Sequence, residues 1–582
     1  MQLDLEKGSR PRILAILTVA IMAIFVGRLF YLQVIQHEYY VAKANEEQLK
    51  QLIIPAKRGE IYALDGNTPT PLVLNETVYT VFADPKIIGQ PQEVIDTIQR
   101  VAGGNAQAGL DELLAKKETR YQVIAKKVTR KQAEMIKAQE LKGIGFQEES
   151  QRVYPEGQLA AQTLGFVNGE GRGQYGIEGA LNDRLVGKDG LLQSVTDISN
   201  VPLTIGDKNI NQPAINGDNI VLTVDRNVQS YTEQALKRGL EKAGATHGSV
   251  MVMDPQSGDV LAMANFPTYE PAQYHKVTDA SAFNNVTISV PYEPGSDVKT
   301  LTMATGIDKG VVEPESTYNN TDHIEVEDRT ISNAFRGETG NITFQHAMNF
   351  SLNTGFVTVA KRLGAGGDRI DLQARSTMYD YFHNKLGLGK LTGIELANEA
   401  AGTLLAPDQP GAAVQYSNMA FGQGLDVTMV QVCAAFSTIL NGGTYYQPTV
   451  LAGTLGDDGL AKAEPKSVRS NMVSSSTSAK MRKMIHDARA VFYSAQDKSG
   501  YYTGGKTGTS QVLRDGKYAD DETIATYLGF GGDSDDATGP KYVIMVQVSA
   551  EHKEFAGNEH AMPIFTDISN WLLDYMKLRP RG

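Results

Sequence analysis

Cysteine is nearly absent. A single one, Cys433, stands among 582 residues, so no disulfide can close within the chain. It lies in the apolar run from Val427 to Phe436 and reads as a buried, inert thiol. A basic excess is missing too. The formal net charge is −12, which argues against a nucleic-acid partner, since that would want a basic patch. The nine histidines show no H-E-x-x-H or other paired-ligand spacing, so no metal site and no cofactor are expected. His346 reads as a packed or surface helix residue. There is no internal repeat and no low-complexity segment. Hydrophobic residues make up 41 % and charged residues 21 %, a globular composition without bulk disorder. At roughly 100–200 residues per domain, the length corresponds to about two to four domains.

What is present begins at the N-terminus. Lys7, Arg10 and Arg12 precede an uncharged apolar run from Ile13 to Gly27. Arg28 interrupts it, and Leu29 to Ile35 continue mostly apolar. Residues 13–35 reach the roughly 20 residues of a spanning helix only if Arg28 snorkels to the far interface, where Tyr31 also suits. No A-x-A-like site follows, which disfavours a cleaved signal peptide. The expectation is an uncleaved anchor, with residues 1–12 in the cytoplasm and everything after residue 35 outside the cytoplasmic membrane.

Residues 37–218 are mixed and charged. They hold a strand-like run, Thr77 to Phe82, helical stretches such as 130–141, many glycines around 165–190, and no catalytic constellation. The bland reading is a spacer and docking module. Residues 205–218 are polar and Gly/Asn-rich, as a linker would be. Ile220 to Val224 then reads as a strand, and Asp225 as the N-cap of a helix running to about Ala243. Ser249–Met253 and Val260–Met263 flank a turn-forming stretch, which predicts a hairpin. Tyr542 to Val548 reads as a strand and Ile564 to Met576 as a last helix. Strands at both ends with helices between predict one α+β domain over 219–582, its sheet joining early and late strands.

Three short patterns follow in order: Ser296-Asp297-Val298-Lys299, Ser351-Leu352-Asn353 and Lys506-Thr507-Gly508. Each occurs once, as S-x-x-K, S-x-N and K-T-G. Pro294-Gly295 lead into Ser296, and Val298, Leu301, Ala304 and Ile307 recur at helical spacing until Gly310. Ser296 therefore begins a helix. Lys299, three residues on, stands on the same face, and free N–H groups at the helix start suit an oxyanion. A serine needs a neighbouring base, and a lysine serves only if burial or a second cation lowers its pKa. Lys506 is a candidate for that cation. It follows Gly504-Gly505 at the start of a strand with little side-chain bulk, which suggests close approach by a substrate backbone. Ser351 lies between two helical patterns, Thr343 to Phe350 and Thr354 to Leu363, on a turn able to face a cleft.

This ordered set is the one found in β-lactamases and penicillin-binding proteins. The chain resembles the class B penicillin-binding proteins, monofunctional peptidoglycan D,D-transpeptidases, over nearly its whole length. Arg58-Gly59-Glu60-Ile61-Tyr62, Tyr154 to Ala160 and Gly176-Ile177-Glu178 resemble pedestal motifs. Tyr292 to Ser296, Gly422 to Thr428 and Asn441-Gly442-Gly443 resemble transpeptidase motifs. The resemblance implies an α+β fold: one transmembrane helix, a pedestal or dimerisation-like domain (37–218), and a transpeptidase domain (219–582) with a central antiparallel sheet flanked by helices. It implies that Ser296 forms an acyl-enzyme, Lys299 is its base, Ser351 relays protons and Asn353 holds the substrate amide. Lys506 would bond Ser351 and supply positive potential. Thr507 and Thr509, with Gly508 between them, would hold the terminal carboxylate, and N–H groups of Ser296 and Thr509 would form the oxyanion hole. Stem peptides of peptidoglycan are the implied substrates, β-lactams the inhibitors, and a multi-pass membrane glycosyltransferase the partner, with a septal role favoured over elongation.

One position departs from the family. Where it often reads Ser-Thr-Phe-Lys, this chain has Asp297, which would either cap the helix start or, in the cleft, repel an anionic substrate or β-lactam. A β-lactamase would usually lack the anchor and pedestal. A bifunctional enzyme needs an acidic glycosyltransferase motif that 37–218 lacks. A penicillin sensor would need a signalling module, and a dead divisome scaffold would not need the intact triple.

Overall fold

The computed structural model describes residues 10–40, 43, 49–195, 210–464, 466–514, 517–533 and 539–580. The chain divides into two compact units, Met1–Arg58 with Val186–Gly217, and Gly59–Leu185 with Asp218–Gly582.

In the first unit a helix, Arg10–Phe30, continues as a π-helical turn, Tyr31–Ile35. Pro11–Ile35 contains an 18-residue window of mean hydropathy 2.5, none of it buried, and is long and apolar enough to cross a membrane. Arg28 lies 5.5 Å from the Tyr31 ring centroid, so the charge that interrupts residues 13–35 sits over an aromatic face. Residues 1–9, which include Lys7 of the expected tail, lie outside the described residues. The unit also holds a three-stranded antiparallel sheet of Leu49–Ile54, Gly190–Val195 and Ile210–Gln212. Part of the expected linker, 205–209, is outside the described residues, while 210–212 form a strand whose ladder needs only backbone groups.

The second unit is built on two sheets. In one, Ile220–Asp225 lies parallel to Ile61–Asp65 and antiparallel to Leu451–Gly456. Ile61–Asp65 in turn pairs with the long strand Thr68–Ala83, which carries Gln122–Thr129 and Ile144–Val153. Residues on both sides of the expected boundary at 218 thus share a sheet. The reason is burial: Ile220 to Val224 are all buried, and a strand with no wet face needs partners on both edges.

The other sheet is five-stranded and antiparallel, in the order Val260–Phe266, His247–Met253, Tyr542–Ser549, Lys517–Gly532, Tyr502–Arg514. Early and late strands meet, as the pattern at the two ends of 219–582 predicts. Tyr542–Ser549 alternates between two apolar cores: Val543 and Met545 face one, Ile544 and Val546 the other. One face is covered by helices Arg226–Ala243 and Met562–Tyr575. Asp225 caps the first of these, accepting from the N–H groups of Asn227 (2.9 Å) and Val228 (3.0 Å), and Gly244 ends it in the left-handed region. The other face packs on helices Lys299–Asp308, Met429–Leu440 and Ser475–Tyr493. Cys433 is fully buried in the second of these, and burial pushes its thiol up, in keeping with an inert role.

Candidate active site

Ser296 sits in a 3-10 turn, Gly295–Val298, that runs directly into the helix Lys299–Asp308. Gly295 makes this turn possible. Its φ is +59°, and a Cβ there would lie 2.7 Å from the Thr509 carbonyl oxygen. Its N–H donates to Gly422 O at 2.9 Å, and a Cβ on Gly422 would lie 1.7 Å from Gly295 O. The Ser296 turn is therefore braced by the loop Gly422-Gln423-Gly424 on one side and by the Lys506 strand on the other.

Ser351 joins helices Phe344–Asn349 and Asn353–Arg362 at φ +56°, a region that costs a residue with a Cβ about 1 kcal/mol or more. Its hydroxyl is the meeting point of the site. Lys299 Nζ donates to Ser351 Oγ at 3.0 Å and to Ser351 O at 2.7 Å. Lys506 Nζ donates to the same Oγ at 2.8 Å, and to Thr507 O at 3.0 Å. Both lysines are almost wholly buried, at 1 % and 4 % exposure. Burial holds Lys299 well below the ordinary lysine range, and the positive charge of Lys506 pushes it further. Burial also lowers Lys506, against the attraction of Asp297.

These residues line one cavity of about 600 Å³. Ser296, Lys299, Ser351, Asn353, Lys506, Thr507 and Thr509 all face it. Asn353 Nδ2 donates to Ser332 O at 2.9 Å, which fixes the side chain and leaves Oδ1 as its acceptor. Gly508 is not among the lining residues. A Cβ there would lie 2.1 Å from Thr526 Oγ1 and 2.9 Å from Asp297 Oδ2, so it packs away from the cavity. The glycines before Lys506 also serve packing. A Cβ on Gly504 would meet Phe530 at 2.5 Å, and one on Gly505 would meet the Tyr527 hydroxyl at 2.4 Å.

Asp297 neither caps the helix nor enters the cleft. It is fully buried, and its Oδ2 accepts from Thr526 Oγ1 at 2.7 Å. Burial pushes its carboxyl up, with the Thr526 bond and the charge of Lys506 acting the other way. Its carboxylate therefore does not face the cavity directly. The motifs also left out an aromatic wall. Phe335, Phe350 and Phe492 line the same cavity, Phe350 lying 5.4 Å from Phe335 and 5.5 Å from Phe492 between ring centroids. His346 supports it by stacking on Phe350 at 4.6 Å, its Nε2 2.7 Å from Glu338 Oε2. No local pattern marks these positions, which come from three separate segments.

Residues 248–570 match the family described as the penicillin binding protein transpeptidase domain, and 53–222 match the penicillin-binding protein dimerisation domain. Stage V sporulation protein D of Bacillus subtilis (strain 168) is 29 % identical over 588 residues, covering 98 % of this chain and 87 % of that protein. Peptidoglycan D,D-transpeptidase FtsI of Escherichia coli (strain K12) is 27 % identical over 579 residues, covering 96 % and 90 %. A solved peptidoglycan synthetase from Bifidobacterium adolescentis shares the fold, with a TM-score of 0.71 at 24 % identity over 92 % of this chain and 98 % of that one. The chain belongs to the class B penicillin-binding proteins, which pair a dimerisation domain with a transpeptidase domain. Its activity is that of a serine-type peptidoglycan D,D-transpeptidase.

Proposed function

We propose that this enzyme cross-links stem peptides through an acyl-enzyme on Ser296, with Lys299 as the base. The observation that carries this reading is the Ser351 hydroxyl shared by two buried lysines in the cavity that Ser296 faces. Neutral Lys299 takes the Ser296 proton as Oγ attacks the carbonyl of the penultimate D-alanine. The carbonyl oxygen becomes an oxyanion held by the N–H groups of Ser296 and Thr509. The peptide C–N bond breaks, and the terminal D-alanine leaves with the proton passed from Lys299 through Ser351. An amine of a second stem peptide then attacks the ester carbonyl and gives a proton to Lys299; the C–Oγ bond breaks, and Lys299 returns that proton to Ser296 Oγ, restoring the hydroxyl and the neutral amine. Asn353 Oδ1 accepts a substrate N–H. The hydroxyls of Thr507 and Thr509 hold the terminal carboxylate in the positive potential of Lys506. Gly508 contributes by having no side chain, which seats the strand. A labelled β-lactam incubated with the full chain in detergent should add one adduct per chain, mapped by mass spectrometry to the Ser296 peptide. No adduct in the folded protein would favour the scaffold reading.

The general look of the motifs and the overall length favour a septal role over elongation. A fluorescent fusion should gather at the division site during growth, and a purely lateral pattern would reverse this assignment. The charges Lys7, Arg10 and Arg12 before the apolar run that starts at Ile13 support a cytoplasmic N-terminus and an external catalytic domain.

The transpeptidase needs nascent glycan strands delivered nearby, and the partner that fits is a multi-pass membrane glycosyltransferase. Two features support docking through the anchor and the pedestal. The spanning helix carries Arg28, costly in lipid without a partner or snorkelling, and residues 53–222 match a dimerisation domain. Replacing residues 13–35 by an unrelated spanning helix of equal length should leave acylation in detergent intact. Co-purification with the polymerase should fall. If co-purification survives both this swap and deletion of the membrane-proximal pedestal, the docking reading is wrong.

A further inference from the structure

Two lysines meet at one hydroxyl, and the chemistry needs them in different states. The base must be a neutral amine, while the group beside the substrate carboxylate must be a cation. Their immediate surroundings do little to tell them apart. Both are buried, and both donate to Ser351 Oγ, Lys299 at 3.0 Å and Lys506 at 2.8 Å. The further acceptors are all neutral: Ser351 O at 2.7 Å for Lys299, and Thr507 O at 3.0 Å with Thr507 Oγ1 at 3.4 Å for Lys506. Two ammonium ions on one oxygen repel, so one of the two gives up its proton. Something outside this symmetric arrangement must choose which.

Asp297 is placed to choose. Its Oδ2 would be 2.9 Å from a Cβ on Gly508, and Gly508 follows Lys506 by two residues on one strand, so both project from the same face. Any side chain at 508 would occupy the space the carboxylate uses. Thr526 Oγ1 holds Oδ2 at 2.7 Å, while Oδ1 has no hydrogen-bond partner among the described residues. The carboxylate acts electrostatically on Lys506, and on the titratable groups Tyr292, in its own segment, and Cys433, from the helix packed behind it. Those last two stay neutral, each pushed up by burial and by Asp297. Lys506 is therefore the cation that answers this charge.

We infer that Asp297 is a positioning residue that keeps the proton on Lys506 and so leaves Lys299 neutral. This rests on the reading of Lys299 as base. Asp297 touches no substrate and lines no part of the cavity. Its effect passes through the lysine pair.

The test is the rate of β-lactam acylation of the full chain in detergent, across pH 5.5–10, for wild type and Asp297→Asn. Asn keeps the volume and an oxygen for Thr526 but removes the charge. In wild type the acid limb belongs to Lys299 together with Asp297, whose carboxyl burial raises to about 7, and the alkaline limb to Lys506. In Asp297→Asn the alkaline limb should move to lower pH by about one unit, the lower end of what a close opposite charge contributes. The rate at the optimum should fall about tenfold, as more of the protein carries its proton on Lys299 or on neither lysine. A merely structural role would lower the rate and leave both limbs in place, and that outcome overturns the inference. Asp297→Thr, which is smaller and also uncharged, should show the same shift if the Asn variant folds poorly. A ¹⁵N-lysine titration reads the proton without the reaction, the Lys506 signal being identified by its loss in Lys506→Gln. Earlier deprotonation of Lys506 in Asp297→Asn supports the inference even if acylation proves to use another base. An unmoved Lys506 titration overturns it.

Discussion

Ser296→Ala should abolish the β-lactam adduct altogether. The variant has no hydroxyl at 296 to form the ester, and the Ser351 hydroxyl is engaged by both lysines. Lys299 and Lys506 are buried at 1 % and 4 % exposure, and both are turned to Ser351. Ser296 is half-buried in a turn held by backbone bonds, so loss of its oxygen should change stability by only about 0.5 kcal/mol. Intact mass after incubation with a labelled β-lactam is the measurement, with thermal unfolding as the control. A folded Ser296→Ala protein that still carries one adduct would move the nucleophile elsewhere.

Lys299→Arg should lower the acylation rate about 10³-fold near neutral pH, equivalent to about 4 kcal/mol in the barrier. Arginine keeps the charge but stays protonated, so it offers no lone pair to the Ser296 proton. Wild-type acylation should rise with pH through the lowered Lys299 value, because only the neutral amine is a base. The arginine variant should lack that limb. Near wild-type rates across pH 6–9 would place the base on another group. Lys299→Met, which fills similar volume without charge, guards against misfolding caused by the wider guanidinium. It also has a stability consequence with a definite sign. With its value lowered on folding, Lys299 binds fewer protons in the folded than in the unfolded chain up to about pH 10.4. Its contribution therefore becomes more favourable as pH rises through that window. Lys299→Met should be more stable than wild type at neutral pH, and the gap in Tm should narrow as pH increases.

Much of the site is legible in the chain because its parts are local. Ser296 and Lys299 are three residues apart on one helical face, and Pro294-Gly295 announce where that face begins. Asp225 and Gly244 bracket their helix by capping chemistry that needs only near neighbours. The hairpin His247–Met253 to Val260–Phe266 follows from two apolar runs and a turn. Other features depend on partners far along the chain. Asp297 reads as a cap or a cleft residue until Thr526, 229 residues away, is seen to hold it. Gly504 and Gly505 suggest close approach of a substrate backbone from the sequence, and only the fold shows that Phe530 and Tyr527 also fill the space where their side chains would go.

The sequence by itself determined the family, the S-x-x-K segment, the helix that continues from it and the apolar anchor, since each is written in spacing, capping or hydropathy over a few residues. Only the tertiary structure decided that Ser351 joins both lysines, that aromatic rings from three segments wall the cavity, and that strands from either side of residue 218 form one sheet. It also decided which way Asp297 turns. These depend on packing between residues distant in sequence, where burial must be shared, charges must find partners and no short pattern records the match.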